Sequence, residues 1–353
     1  MLRQKSIKCL IRNQYLFQKT QHQISTTAAV IALIYGSASQ FLLRNPHYIH
    51  KKIDLKNNYL NQIIENSSTA IVAHRGGAHE APENTIQAFQ HALDNQSKIL
   101  EMDLCLTKDQ QVVVSHDKHI ERVTGNKKYL NELNYNEINN YLPKVELEFS
   151  ESKEYLQIKN NQDYFIPKFE EILKKFPDSI LLVDLKEPNQ VLISKTIELI
   201  EKYQAQNQII LGTQFIDDWQ KINFQNMFSS QNHLIKIHLL HLTGLLPFFK
   251  LDICCLATPL YTKAYYQWEM ELSEGKFTRK MLMKLQFFMI KIFNLFNYSL
   301  FQHLRKRGIL SFYWVANKQE EILRALKDKP SGIITDYPML MKEIIKSQKE
   351  QND

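Results

Sequence analysis

Between His74 and Asp117, two of the four histidines, an arginine and two closely spaced carboxylates each fall beside a short β-branched or aliphatic run. The order is Ile71-Val72-Ala73-His74-Arg75-Gly76-Gly77, then Leu100-Glu101-Met102-Asp103, then Val112-Val113-Val114-Ser115-His116-Asp117. An unpaired polar group in a buried strand is costly, so such strand ends are poor core material and plausible catalytic material. Glu101 and Asp103 are two apart, which in a strand points both side chains at one face. Asp184 and Lys186 repeat that spacing within Leu181–Lys186. Three carboxylates with waters and a phosphate oxygen make a hard-cation site, suited to Mg²⁺, Ca²⁺ or Mn²⁺. No histidine is spaced to join them, which argues against zinc. His74 and His116 offer acid–base chemistry near neutral pH. Arg75 and Lys186 offer fixed positive charge for an anionic phosphodiester. Taken singly, a strand-end histidine or a Glu-x-Asp is ordinary structure. The combination is the specific signal.

The elements that must position these groups alternate along the chain. Strands are expected at 70–73, 99–105, 111–115, 180–185, 208–212, 235–240 or 253–257, 310–315 and 332–335. Helices are expected at 85–94, 167–175, 190–203, 278–307, 318–327 and 339–346. Near-continuous apolar strands alternating with helices argue for an α/β fold with a parallel sheet covered on both faces. Eight such units in 353 residues fit a (β/α)8 TIM barrel, in which ligands and catalytic groups gather at the carboxyl ends of the strands. A doubly wound open sheet is the alternative, but no Gly-rich phosphate loop follows the first strand. Residues 126–165 read as a long polar excursion, a subdomain or loop. The expected organisation is a basic N-terminus and hydrophobic helix at 1–44, a polar connector at 45–68 and the barrel at 69–346.

The formal net charge of +7 is moderate, and no Lys/Arg block with interleaved aromatics appears, so nucleic acid is not an expected partner. Cys9, Cys105, Cys254 and Cys255 form neither a disulfide framework nor a zinc pattern. The first 53 residues contain no Asp or Glu, and residues 28–35 are strongly apolar. This segment reads as an uncleaved membrane anchor, with an organellar transit peptide as the alternative. Residues 242–249 and 281–293 are also apolar with few charges. Lys284 and Lys291, seven apart, share one helix face. An outer barrel helix beside a buried loop accounts for these segments; so does a surface that dips into a bilayer or grips acyl chains.

The set His-Arg-Gly (74–76), Glu-Asn-Thr (83–85), Glu-x-Asp (101–103), Thr107-Lys108-Asp109, Val-x-x-His-Asp (113–117), Arg122-x-Thr124, Trp314 and Thr335-Asp336 resembles a glycerophosphodiester phosphodiesterase domain, over roughly residues 70–340. The resemblance implies a TIM barrel, one divalent cation and metal-dependent cleavage of a glycerol phosphodiester. By position it makes Glu101, Asp103 and Asp184 the metal ligands, His74 and His116 the acid–base pair, and Arg75 and Lys186 the phosphate binders. Glu83, Asn84, Trp314 and Asp336 become supporting residues. The family usually carries Glu-x-Lys where this chain has Asp184-Leu185-Lys186. Asp-x-Lys, the segment 243–248 and residues 300–309 are similar to the membrane-anchored eukaryotic branch, which includes lysophospholipase D enzymes.

The expected function is therefore hydrolysis of lysophospholipids to lysophosphatidic acid on a membrane surface, in the endoplasmic reticulum or another endomembrane, with a mitochondrial location as the alternative. A closer rival keeps the chemistry and takes water-soluble glycerophosphocholine or glycerophosphoethanolamine, giving glycerol 3-phosphate. A catalytically silent, membrane-bound barrel would be expected to have lost one of His74, Glu101, Asp103 or His116. All are present.

Overall fold

Short aliphatic runs become strands, and the amphipathic segments between them become the helices that cover those strands. A computed structural model describes residues 2–150, 152–213, 224–273 and 277–350. Among these residues the strands are β1 (Ala70–Ala73), β2 (Ile99–Leu106), β3 (Val112–Val114), β4 (Lys144–Glu146), β5 (Tyr155–Gln157), β6 (Ile180–Leu185), β7 (Ile209–Gly212), β8 (Cys255–Pro259), β9 (Leu310–Trp314) and β10 (Gly332–Thr335). The helices are α1 (Leu2–Arg44), α2 (Asn58–Glu65), α3 (Ile86–Asp94), α4 (Glu121–Thr124), α5 (Phe169–Lys175), α6 (Gln190–Lys202), α7 (Gln231–Leu242), α8 (Lys263–Leu272), α9 (Phe277–Lys306), α10 (Gln319–Lys327) and α11 (Pro338–Glu350).

Seven strands pair in parallel in the order β7-β6-β2-β1-β10-β9-β8. Between the two ends of this path, Met227 bridges Leu211 and Phe228 bridges Cys255, both in parallel. Residues 227–228 thus act as a minimal eighth stave and close the TIM barrel expected from the sequence. The stave expected at 111–115 is not one. β3 runs antiparallel to the end of β2, pairing Val114 with Leu104, and forms a hairpin off the barrel. The strand reading of 235–240 is also overturned, because that run lies inside α7, capped by Ser230 accepting from the His233 amide. A short apolar run does not distinguish a strand from a helix buried on one side. The alternative placement at 253–257 corresponds to β8.

Leu55 with Leu60, Ile63 and Ile64 of α2 packs against Ile99, Ile180, Ile210 and Leu310, sealing the amino-terminal end of the barrel. The excursion at 126–165 holds the β4–β5 hairpin. Its Tyr141, Val145 and Ile158 share a small core with Ile120, Val123, Cys105 and Val113. Helix α9 buries Phe287, Ile290, Phe293, Asn297, Leu300 and Leu304, a spacing of three to four residues that defines one face. Its opposite face leaves Met281, Leu285, Phe288 and Leu295 exposed. Within α1, Ser25–Arg44 is long and apolar enough to cross a membrane and is almost unburied. Its last turns touch the barrel, through Ser39 donating to the Gly244 carbonyl and His303 bonding the Leu43 carbonyl.

Candidate active site

The sheet register assembles the charged layer. Asp103 of β2 pairs directly with Asp184 of β6, so the two carboxylates leave neighbouring strands at one level. Both belong to the carboxyl ends of their strands, as do His74 and Arg75 after β1, His116 after β3 and Asp336 after β10. The turn after β1 needs unusual backbone. Arg75 adopts φ +51 and Gly76 φ +83, and a Cβ on Gly76 would lie 2.8 Å from the Ala88 Cβ. The tight turn brings the Arg75 amide within 2.8 Å of Glu101 Oε2.

Two cations and two carboxylates interlock at the centre. Lys186 Nζ lies 2.9 Å from Asp103 Oδ1 and 2.7 Å from Asp184 Oδ2. Arg75 Nε lies 3.3 Å from Asp103 Oδ2, which also accepts from Asn84 Nδ2 at 3.1 Å. Burial alone would raise the pKa of Asp103, but Lys186, His116 and Arg75 outweigh it and hold the carboxyl well below its usual range. Glu101 is driven the other way. Burial first, then the Asp103 charge, raises it to about 7. Burial likewise raises Asp184.

Two buried oxygens here have no hydrogen-bond partner, Asp184 Oδ1 and Asn84 Oδ1. Unsatisfied buried acceptors beside crowded carboxylates are the donor set a hard divalent cation requires, and a cation would also relieve the pressure on Glu101. Glu101, Asp103 and Asp184 thus supply oxygen donors of the kind a hard cation takes. Among the described residues, however, the group whose ligand atoms already lie within 4.8 Å of one another is His116, Asp117 and Glu148, whereas Lys186 Nζ stands between Asp103 and Asp184.

The histidines stand on opposite supports. His74 Nδ1 lies 2.6 Å from Asp336 Oδ1. Facing an ionised carboxylate, this nitrogen must donate, which leaves Nε2 for chemistry. Burial lowers the His74 pKa, but the charge and hydrogen bond of Asp336 more than offset this, so the net shift is upward. Asp336 is itself fixed by Asn317, whose Nδ2 donates at 2.6 Å to Oδ2 and whose Oδ1 accepts from the Asp336 amide. His116 Nδ1 lies 2.8 Å from Asp117 Oδ1, and Arg122 Nε donates to the other Asp117 oxygen at 2.7 Å. Arg122 also grips Glu83 with two nitrogens, each at 2.8 Å.

The structure thus gathers His74, Arg75, Glu83, Asn84, Glu101, Asp103, His116, Asp184, Lys186 and Asp336 into one connected set. Trp314 stands apart from the charged centre. It packs 5.3 Å from Tyr265 in an aromatic wall with Trp268 and Phe149, and Phe149 lies 5.6 Å from His74. Sequence reasoning missed Glu148, whose Oε2 lies 2.6 Å from Arg75 Nη1, and Asn317. Glu148 follows β4 in Glu146-Leu147-Glu148, the spacing of Glu101 and Asp103 but without the apolar run that marks those two as buried.

The profile of the Glycerophosphoryl diester phosphodiesterase family matches residues 74–340. Lysophospholipase D GDPD1 of Homo sapiens is 32% identical over 333 residues, covering 91% of this chain and 98% of the human one. Lysophospholipase D GDPD3 of Mus musculus is 26% identical, covering 90% and 91% of the two chains. The crystal structure of a glycerophosphodiester phosphodiesterase from Thermotoga maritima covers 78% of this chain and 98% of its own, with 20% identity and a TM-score of 0.51. A domain of that kind from Mycobacterium tuberculosis gives a TM-score of 0.54 at 13% identity, over 78% and 98% of the two chains. These two structures speak to the fold.

Proposed function

Because the chain belongs to the glycerophosphoryl diester phosphodiesterase family, and is thus a phosphoric diester hydrolase, we propose that it cleaves lysophospholipids at a membrane surface, releasing the headgroup alcohol and leaving lysophosphatidic acid. The observation that carries this reading is the layer formed by Glu101, Asp103, Asp184, Arg75 and Lys186, flanked by two histidines that are each anchored by a separate acid.

Arg75 and Lys186 bind the non-bridging phosphate oxygens, exchanging part of their carboxylate contacts for the substrate. A divalent cation held by Glu101, Asp103 and Asp184, Mg²⁺, Ca²⁺ or Mn²⁺, supplies further charge to those oxygens when bound. His74 Nε2 takes the proton of the glycerol hydroxyl next to the phosphate, and that oxygen attacks phosphorus. Asp336 offsets the charge that His74 gains. His116 gives a proton to the departing alcohol, and a cyclic phosphate forms. Water then opens the ring, with the proton movements at His74 and His116 reversed. A diacyl lipid has no free neighbouring hydroxyl, so this scheme selects lysolipids.

The lipid reading, over its water-soluble rival, is supported by exposed apolar side chains on segments singled out in the sequence. Leu245, Phe248 and Phe249 are exposed beside α1, and Met281, Leu282, Leu285 and Phe288 along α9. With α1 as an anchor, these would lie against a bilayer of the endoplasmic reticulum or another endomembrane. The test incubates the full chain with lysophosphatidylcholine and with glycerophosphocholine, with and without chelator, and identifies products by mass spectrometry. Choline release from the lysolipid, abolished by chelator, is expected. Release from glycerophosphocholine alone would reject the lipid substrate, and release indifferent to chelator would reject the cation.

A further inference from the structure

At the foot of α1, a cleft of about 470 Å³ opens between the end of α1, the end of α2 and the last turns of α9. Arg44, His47, Lys52, Arg305 and Lys306 line it together with Gln302, and no acidic side chain does. Of its basic residues, Lys52 has an acidic partner, the exposed Glu65, 3.4 Å from Nζ.

Arg305 is the informative member. It is 6% exposed, and only its Nη2 is bonded, to the Lys329 carbonyl; Nε and Nη1 have no partner. Gln302 Nε2 in the same cleft is also buried and unpartnered. A buried guanidinium without a carboxylate, and with open donors, is an expensive arrangement that an anion would relieve. Planar donors beside ammonium groups suit the oxygens of a phosphate. None of the 37 acidic residues lies in 1–53 or 275–319, so the chain that builds most of this cleft holds nothing to compete for those donors.

We propose that this cleft is a binding site for the phosphate headgroup of an anionic membrane lipid, separate from the hydrolytic centre. The position favours a lipid over free phosphate. Arg44, which lines the cleft, is the last residue of the apolar span Ser25–Arg44, so the cleft opens where that helix would leave a bilayer. Basic groups just outside a membrane-crossing helix are well placed for anionic lipids.

The test titrates the full chain, in neutral detergent micelles, with dihexanoyl phosphatidic acid and separately with inorganic phosphate, reading affinity by calorimetry. It compares wild type with Arg305→Gln and with a Lys52→Gln, Lys306→Gln double variant, whose two side chains are exposed. The lipid is expected to bind at least tenfold tighter than phosphate, and either variant should weaken it about tenfold while lysophosphatidylcholine hydrolysis persists. Equal affinity for lipid and phosphate would overturn the lipid assignment. Unchanged lipid affinity in the double variant would overturn the site itself, since the ligand would then be held elsewhere, the hydrolytic centre included.

Discussion

Replacing Asp336 by asparagine changes one atom and should remove nearly all turnover. Asn317 makes the outcome one-sided. Its Oδ1 is committed to the Asp336 amide, so its Nδ2 must point at the second carboxylate oxygen, 2.6 Å away. The substituted side chain would satisfy that donor with its own carbonyl oxygen and turn its NH₂ toward His74 Nδ1, which sits 2.6 Å from the first oxygen. Two donors cannot face each other, so His74 would move its proton to Nε2, the nitrogen needed as acceptor. Loss of a correctly held tautomer costs on the order of 10³–10⁴ in kcat, about 4–5 kcal/mol of barrier. The same substitution removes a pH signature. The His74 pKa is raised in the fold, so its contribution to stability is complete below its ordinary value of 6.5 and is lost as pH rises through the folded value. The Asp336 pKa is depressed, despite burial, mainly by His74; its contribution is present above the ordinary value of 3.8 and is lost as pH falls through the folded value. Wild type should therefore lose stability on both sides of the window between those ordinary values, and Asp336→Asn should flatten both limbs. Glycerophosphocholine or lysophosphatidylcholine turnover across pH 5–9, with urea unfolding over the same range and below it, reads both effects. A variant within threefold of wild-type kcat and with unchanged pH limbs would refute the pairing of His74 with Asp336.

Glu83→Ala should cost about 3 kcal/mol in chemical denaturation, because it strips the two-pronged partner from Arg122 and one contact from Arg75; Asp117 and Glu148 keep the loss at the low end for a broken buried pair. Gly76→Ala should destabilise by about 1–3 kcal/mol, since the new Cβ meets Ala88 at 2.8 Å on a positive-φ backbone, and a thermal melt would show it. Mg²⁺ or Ca²⁺ at a hundredfold excess over its dissociation constant should stabilise wild type by about 2.7 kcal/mol and chelator should reverse this. An Asp103→Asn, Asp184→Asn variant that kept the full cation-induced shift in differential scanning fluorimetry would move the ion to another site.

What could be read in the sequence was whatever local spacing encodes. Glu101, Asp103, Asp184 and Lys186 announced themselves because charge two residues apart inside an aliphatic run has no place in a core unless both groups meet partners on one face. The β2–β6 register then placed them side by side. Glu148 and Asn317 were not legible in that way, because their roles come from tertiary approach. Glu148 arrives on a hairpin and Asn317 from the turn after β9, and neither interrupts a strongly apolar run. The barrel itself was legible, but not all of its staves. Val112–Val114 looks like a stave and is a hairpin arm, whereas Met227–Phe228, which completes the ring, has only two bridging residues and no periodicity to detect.

The floor laid by α2 has a consequence for traffic. With Leu55, Leu60, Ile63 and Ile64 filling one end, the barrel is a cul-de-sac: nothing that reaches His74 can pass through and out below. A cleaved diester must send both of its halves back through the opening by which the whole came in, past Phe149 and the aromatic wall. On the proposed chemistry, the uncharged or cationic alcohol leaves first, because Arg75 and Lys186 hold the anionic half. The phosphate-bearing product is thus the last tenant, and the rate at which it vacates limits how soon the next lipid can enter.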